Sequence, residues 1–195
     1  MTNTSHTLSE LLEAAAEHAV PVVRGIGDGQ LDDPTPCAEY DVRGLTNHLI
    51  QVVINFQAMA AKQDTDFSAI PDYIGEGGDW RARFAAETDA LVTAWSAPGA
   101  EEGTTGSMGM PARTLGEMAL GDLTVHAWDL ARATGQEFAP APLAVGEVLR
   151  SFEKLAPMAR KMGAFGEEVP LADAASASDF DRLLALTGRD PSWRP

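Results

Sequence analysis

The sequence predicts an all-α protein with a four-helix bundle at its core. Three observations carry the prediction. Apolar residues recur at helical spacing in several separate segments. Side-chain caps and glycine or proline stops bracket those segments. No segment alternates convincingly as a half-buried strand would, and no internal repeat or low-complexity stretch breaks the pattern. The 195 residues read as one domain, 1–195, with 165–195 as a short helical C-terminal extension. That length is enough to bury a sizeable core.

Taken in order, the first helix starts at Leu8, where Thr7 and Glu10 form a capping box. Leu8, Leu11, Leu12, Ala15, Ala19, Val22, Val23 and Ile26 follow the helical period, and Pro21 is expected to kink or divide the helix. A proline-held loop leads to Asp41, the N-cap of a second helix from Val42 to Ala61. His48 falls in its apolar stripe, between Leu45 and Val52. After a long polar connection over 62–78, a third helix spans Trp80 to Ser96. The Gly- and Thr-rich stretch 98–111 reads as a loop. Thr114 and Glu117 form a second capping box for a fourth helix, Leu115 to Thr134, with Gly135 suited to its left-handed end. A fifth helix, Leu143 to Met162, buries a stripe running from Val145 to Met158, and a sixth covers Asp179 to Leu186.

Composition narrows the function. A formal net charge of -15 repels phosphates and argues against nucleic-acid binding. The single cysteine, Cys37, cannot form an intrachain disulfide. No signal peptide is visible and no apolar run nears the ~20 residues that span a bilayer. A soluble cytoplasmic protein with no membrane partner is expected; oligomeric state is open, a homodimer being allowed.

The fourth helix holds the anomaly. It is apolar around nearly its whole circumference, which marks it as central, yet it carries Asp122, His126 and Asp129. Asp122 and His126 lie one turn apart on one face. With His48 from the second helix they form a set that suits Zn²⁺, Ni²⁺ or Fe²⁺ and leaves a coordination position open. The competing reading is a satisfied core histidine and a simple Asp122–His126 hydrogen bond. An unpaired carboxylate at Asp122 would be costly to bury, which favours a cation there. Asp129 and Arg132 are spaced to form a salt bridge that orients a ligand or simply ties the helix. Cys37 has no basic neighbour in sequence, so an inert buried thiol is the plainer reading. His18 sits at the edge of its stripe, and the residues name no catalytic or cofactor-binding group.

The segment PTPCAEYDVRGLTNHL (34–49) and the segment HAWDLARATG (126–135) resemble the family containing the mycothiol-dependent maleylpyruvate isomerase N-terminal domain, within the wider DinB-like superfamily. The closing run DRLLALTGRDP (181–191) is similar to an actinobacterial subfamily of metal-binding proteins. The resemblance implies an up-and-down four-helix bundle holding a divalent metal, usually zinc, with ligands falling on His48, Asp122 and His126. It also implies mycothiol as cosubstrate and an electrophilic small molecule as substrate, in an enzyme of S-transferase or isomerase type. The alternative is a metal-binding sensor or stress-response accessory protein without turnover. The family's isomerases carry glutamate where this chain has Asp122, and a larger C-terminal domain, both of which count against maleylpyruvate isomerisation itself.

Overall fold

The computed structural model describes residues 6–106 and 109–195. Its described residues form six α-helices: α1 (Leu8–Gly25), α2 (Val42–Ala60), α3 (Trp80–Trp95), α4 (Ala112–Ala133), α5 (Pro142–Lys161) and α6 (Asp179–Leu186). A 3-10 turn, Asp28–Gln30, follows α1. A two-stranded antiparallel sheet pairs β1 (Thr104–Thr105) with β2 (Met110–Pro111) inside the stretch expected to be loop. The chain is therefore mostly helical. Both α1 and α2 pack against both α3 and α4; α5 packs on α4 and α1, and α6 on α5. Helix α4 thus packs mainly against α1, α2 and α5, which is why its sequence is apolar on most sides.

Local chemistry sets the helix ends. The Thr7–Glu10 capping box opens α1, with the Thr7 N–H donating to Glu10 Oε2 at 2.9 Å. Pro21 does not divide the helix: α1 runs on to Gly25. The proline lies on the solvent face, where water can serve the Glu17 carbonyl that loses its helical donor. Asp41 caps α2 by accepting from the Gly44 N–H at 2.7 Å. The connection 62–78 is held along α2, Gln51 donating to the Ala69 carbonyl at 2.6 Å and the Ile74 N–H to Asn47 Oδ1 at 3.1 Å.

Helix α4 begins three residues before the expected start, and no Thr114–Glu117 capping box forms. The hairpin feeds the helix directly: the Ala112 N–H donates to the Gly103 carbonyl at 3.0 Å. Glu117 is engaged elsewhere, accepting from Arg113 Nε at 3.1 Å and from Ser151 Oγ at 2.7 Å. The far end matches expectation, with Gly135 at φ +69° and the Gln136 N–H returning to the Ala131 carbonyl. On α5 the inward stripe holds through Val145, Val148 and Phe152, but Met158 is 66% exposed because Ala156 takes the inward position of that turn. No helix is long and apolar enough to cross a membrane among the described residues.

Close approach of α4 and α5 depends on Gly121, since a Cβ there would overlap the Phe152 ring. Gly121→Ala should therefore lower stability by about 1–3 kcal/mol, the usual penalty for overpacking. Urea unfolding of the metal-free protein checks this: the midpoint falls with an unchanged slope.

Candidate metal centre

His48 comes from α2, and Asp122 and His126 from α4, the two helices being packed together. One donor atom from each lies within 4.8 Å of the other two. The two imidazole rings meet edge to face, 5.2 Å apart at 90°. Zinc holds imidazole nitrogen at about 2.0–2.1 Å, so small side-chain adjustments would suffice to place all three donors around one ion. Among the described residues, neither His6 nor His18 belongs to a donor cluster of this kind.

Hydrogen bonding shows how the set is prepared. Asp129 Oδ2 lies 2.9 Å from His126 Nδ1. A carboxylate only accepts, so Nδ1 carries the proton, and in the neutral ring Nε2 then presents its lone pair. That nitrogen is 3.6 Å from Asp122 Oδ1, too far for a hydrogen bond. The simple Asp122–His126 hydrogen bond is thus not made. With the ring neutral, two electron-rich atoms face each other, which is the arrangement a cation relieves. The residues fit a divalent ion on this ground. Burial lowers the pKa of His48 below the usual imidazole value, with His126 and Arg189 adding to the shift and Asp122 opposing it. The shift favours the neutral form, which is the one that ligates. Tyr40 stacks on the His48 ring at 5.4 Å, 15° from parallel.

The carboxylate that α4 buries completely is not Asp122 but Asp129. Asp122 keeps 29% of its side chain exposed, whereas Asp129 is fully buried and its Oδ1 has no partner among the described residues. Nor is Arg132 the cation that pairs with Asp129. Arg132 donates to the Trp193 carbonyl at 3.2 Å and lies 5.8 Å from the Trp128 ring centre. The partner is Arg189, whose Nη2 donates to Asp129 Oδ2 at 3.2 Å. It is 60 residues away along the chain, beyond the reach of any periodicity. The only local trace is its place just after Gly188, which stops α6.

Cys37 lies near the site, and its burial agrees with the reading of an inert thiol. Its Sγ lies within 4.8 Å of donor atoms of His126 and Asp129. Burial raises its pKa, opposed by the charge of Arg189, a basic neighbour in space though not in sequence. Thr35 folds the surrounding loop, donating to the Cys37 carbonyl at 3.0 Å and the Tyr40 carbonyl at 2.7 Å. Together with Asp32 and Asp41 these residues line an open groove of about 380 Å³.

A helical fold with a histidine–carboxylate donor cluster between two packed helices places the protein in the class of α-helical proteins with a candidate metal centre. The chain belongs to the mycothiol maleylpyruvate isomerase N-terminal domain family, whose family model matches residues 12–131. The match takes in His48, Asp122, His126 and Asp129 and stops before α5, α6 and Arg189. No curated protein and no solved structure gives a significant match.

Because burial disfavours the Cys37 thiolate, less of it exists at any given pH than for a free thiol of pKa about 8.5. Alkylation of Cys37 by iodoacetamide should then be slower than for a free thiol at neutral pH, with a rate midpoint displaced upward. A midpoint at or below the ordinary value would contradict the assignment.

Proposed function

We propose that the protein binds one divalent metal ion, zinc in the first instance and nickel or iron otherwise, through His48, Asp122 and His126. The reading extends to the architecture: a single DinB-like domain, 1–195, whose helices α1–α4 form an up-and-down four-helix bundle, with 165–195 as a C-terminal extension. The observation that carries the proposal is the placement of His126 Nε2 beside Asp122 and within reach of His48.

The family membership supports a low-molecular-weight thiol, mycothiol, as the partner of this centre. When bound, a divalent ion supplies Lewis acidity, which favours the thiolate over the thiol. The chain's own groups hold the site in shape. Asp129 fixes the ring of His126 through Nδ1, and Tyr40 covers the ring of His48. Asp122, partly exposed, leaves the centre open towards solvent and a second substrate. The function that follows is thiol-dependent S-transfer to, or isomerisation of, a small electrophile. Its alternative is a metal-binding sensor or accessory protein without turnover.

Protein purified without a histidine tag should retain about one equivalent of metal, and His126→Ala should lose it. Absence of metal in the unaltered protein would remove the proposal. Titration calorimetry of the metal-loaded protein with mycothiol separates the two functional readings: heat at millimolar thiol or below supports the enzyme, and no heat supports the metal-binding protein without turnover.

A further inference from the structure

We propose that Arg189 is a positioning residue for the centre: it pins the Asp129 carboxylate so that His126 is held in the tautomer with its proton on Nδ1 and its lone pair on Nε2. The zinc-affinity part of the inference rests on the metal reading above; the tautomer part does not.

Asp129 Oδ2 is shared by two donors, His126 Nδ1 at 2.9 Å and Arg189 Nη2 at 3.2 Å. Arg189 Nη2 also lies 3.5 Å from His126 Nδ1, but with the proton on Nδ1 both atoms are donors, so the common acceptor holds them together. The other carboxylate oxygen, Oδ1, is buried without a partner among the described residues. The terminal torsion of an aspartate is soft. Among the described residues the two bonds on Oδ2 are the polar ties that fix the carboxylate's rotation, and without Arg189 one remains. A rotated carboxylate no longer dictates which ring nitrogen carries the proton.

The chain invests backbone in placing this guanidinium. Arg189 is 8% exposed and leaves α6 through a tight cap. The Gly188 N–H donates to the Ala185 carbonyl at 3.1 Å, and the Arg189 N–H to the Leu184 carbonyl at 2.8 Å. Gly188 has φ +86°, and a Cβ there would sit 2.8 Å from Gly166 Cα, so only glycine fits without displacement. Arg189 Nη1 is tied to the Thr187 carbonyl at 2.8 Å. All of this lies outside the family match, which ends at residue 131. The C-terminal extension thus reaches back to tune a centre built by α2 and α4.

The test uses the full-length protein and two variants, Arg189→Met, which removes the guanidinium, and Gly188→Ala, which keeps it but displaces the cap. Ring ¹⁵N shifts of His126 are recorded in metal-free protein at a pH well above the imidazole value of about 6.5, with amide spectra confirming the fold. The unaltered protein should show a single tautomer protonated at Nδ1, and the variants should lose that preference. Zinc affinity, measured by chelator competition, should fall about 10–100-fold, as when an outer partner of a ligating histidine is lost. Retention of the Nδ1 proton in folded variants overturns the proposal, as does an Nε2 proton in the unaltered protein. Should Arg189→Met fail to fold, Gly188→Ala decides. A tautomer that responds in a protein binding no zinc upholds the role of Arg189 and removes the metal reading instead.

Discussion

The hydrogen bond from His126 Nδ1 to Asp129 Oδ2 is the constraint on which the candidate centre depends. It joins a side chain that would otherwise be an ordinary core histidine to a carboxylate with no exposure to water. A buried carboxylate is tolerable only with charge-assisted partners; removing one partner of such a pair typically costs about 3–5 kcal/mol. Asp129 has two, His126 and Arg189. The outcome on the other side of the ring is chemical: in the neutral ring Nε2 offers a lone pair beside Asp122, with His48 facing it from α2. Asp122, His126 and Asp129 on α4 thus divide into a pair facing α2 that can ligate and a fully buried carboxylate that holds the ring.

The packing makes this division possible. Helix α4 is enclosed by α1, α2 and α5, so anything it projects towards α2 meets another helix. Gly116 and Gly121 let the neighbours approach α4, Leu8 and Trp95 at one and Phe152 at the other. Where α4 instead carries charge near its start, Arg113 gathers Glu101, Glu117 and Glu147 into an ion-pair group linking the hairpin region to α5. Glu101 in turn accepts from the Leu8 N–H at 2.8 Å, anchoring the start of α1.

Much of this was legible in the amino-acid order because it is local. Thr7 with Glu10, Asp41 before Val42, and Gly135 after Thr134 each announce a helix end through short-range hydrogen bonds or a left-handed backbone. The stripes containing Leu45, His48 and Val52 placed His48 on a packed face by period alone. What was missed depends on contacts across the chain. Thr114 had the composition of a cap, but the hairpin preceding Ala112 started the helix earlier. Arg132 had the right spacing to pair with Asp129, yet Arg189 arrives from the C-terminal segment and takes the place. Cys37 comes close to His126 through the fold of its loop, which sequence spacing does not encode.

Anomalous diffraction from crystals of the zinc-loaded protein tests the central claim most directly. The account predicts one ion bonded to His126 Nε2, a His48 ring nitrogen and an Asp122 carboxylate oxygen, each at about 2.0–2.2 Å, with His126 Nδ1 still donating to Asp129. An ion held instead by Cys37, Asp129 and the opposite face of His126, or no ion between α2 and α4, would contradict it.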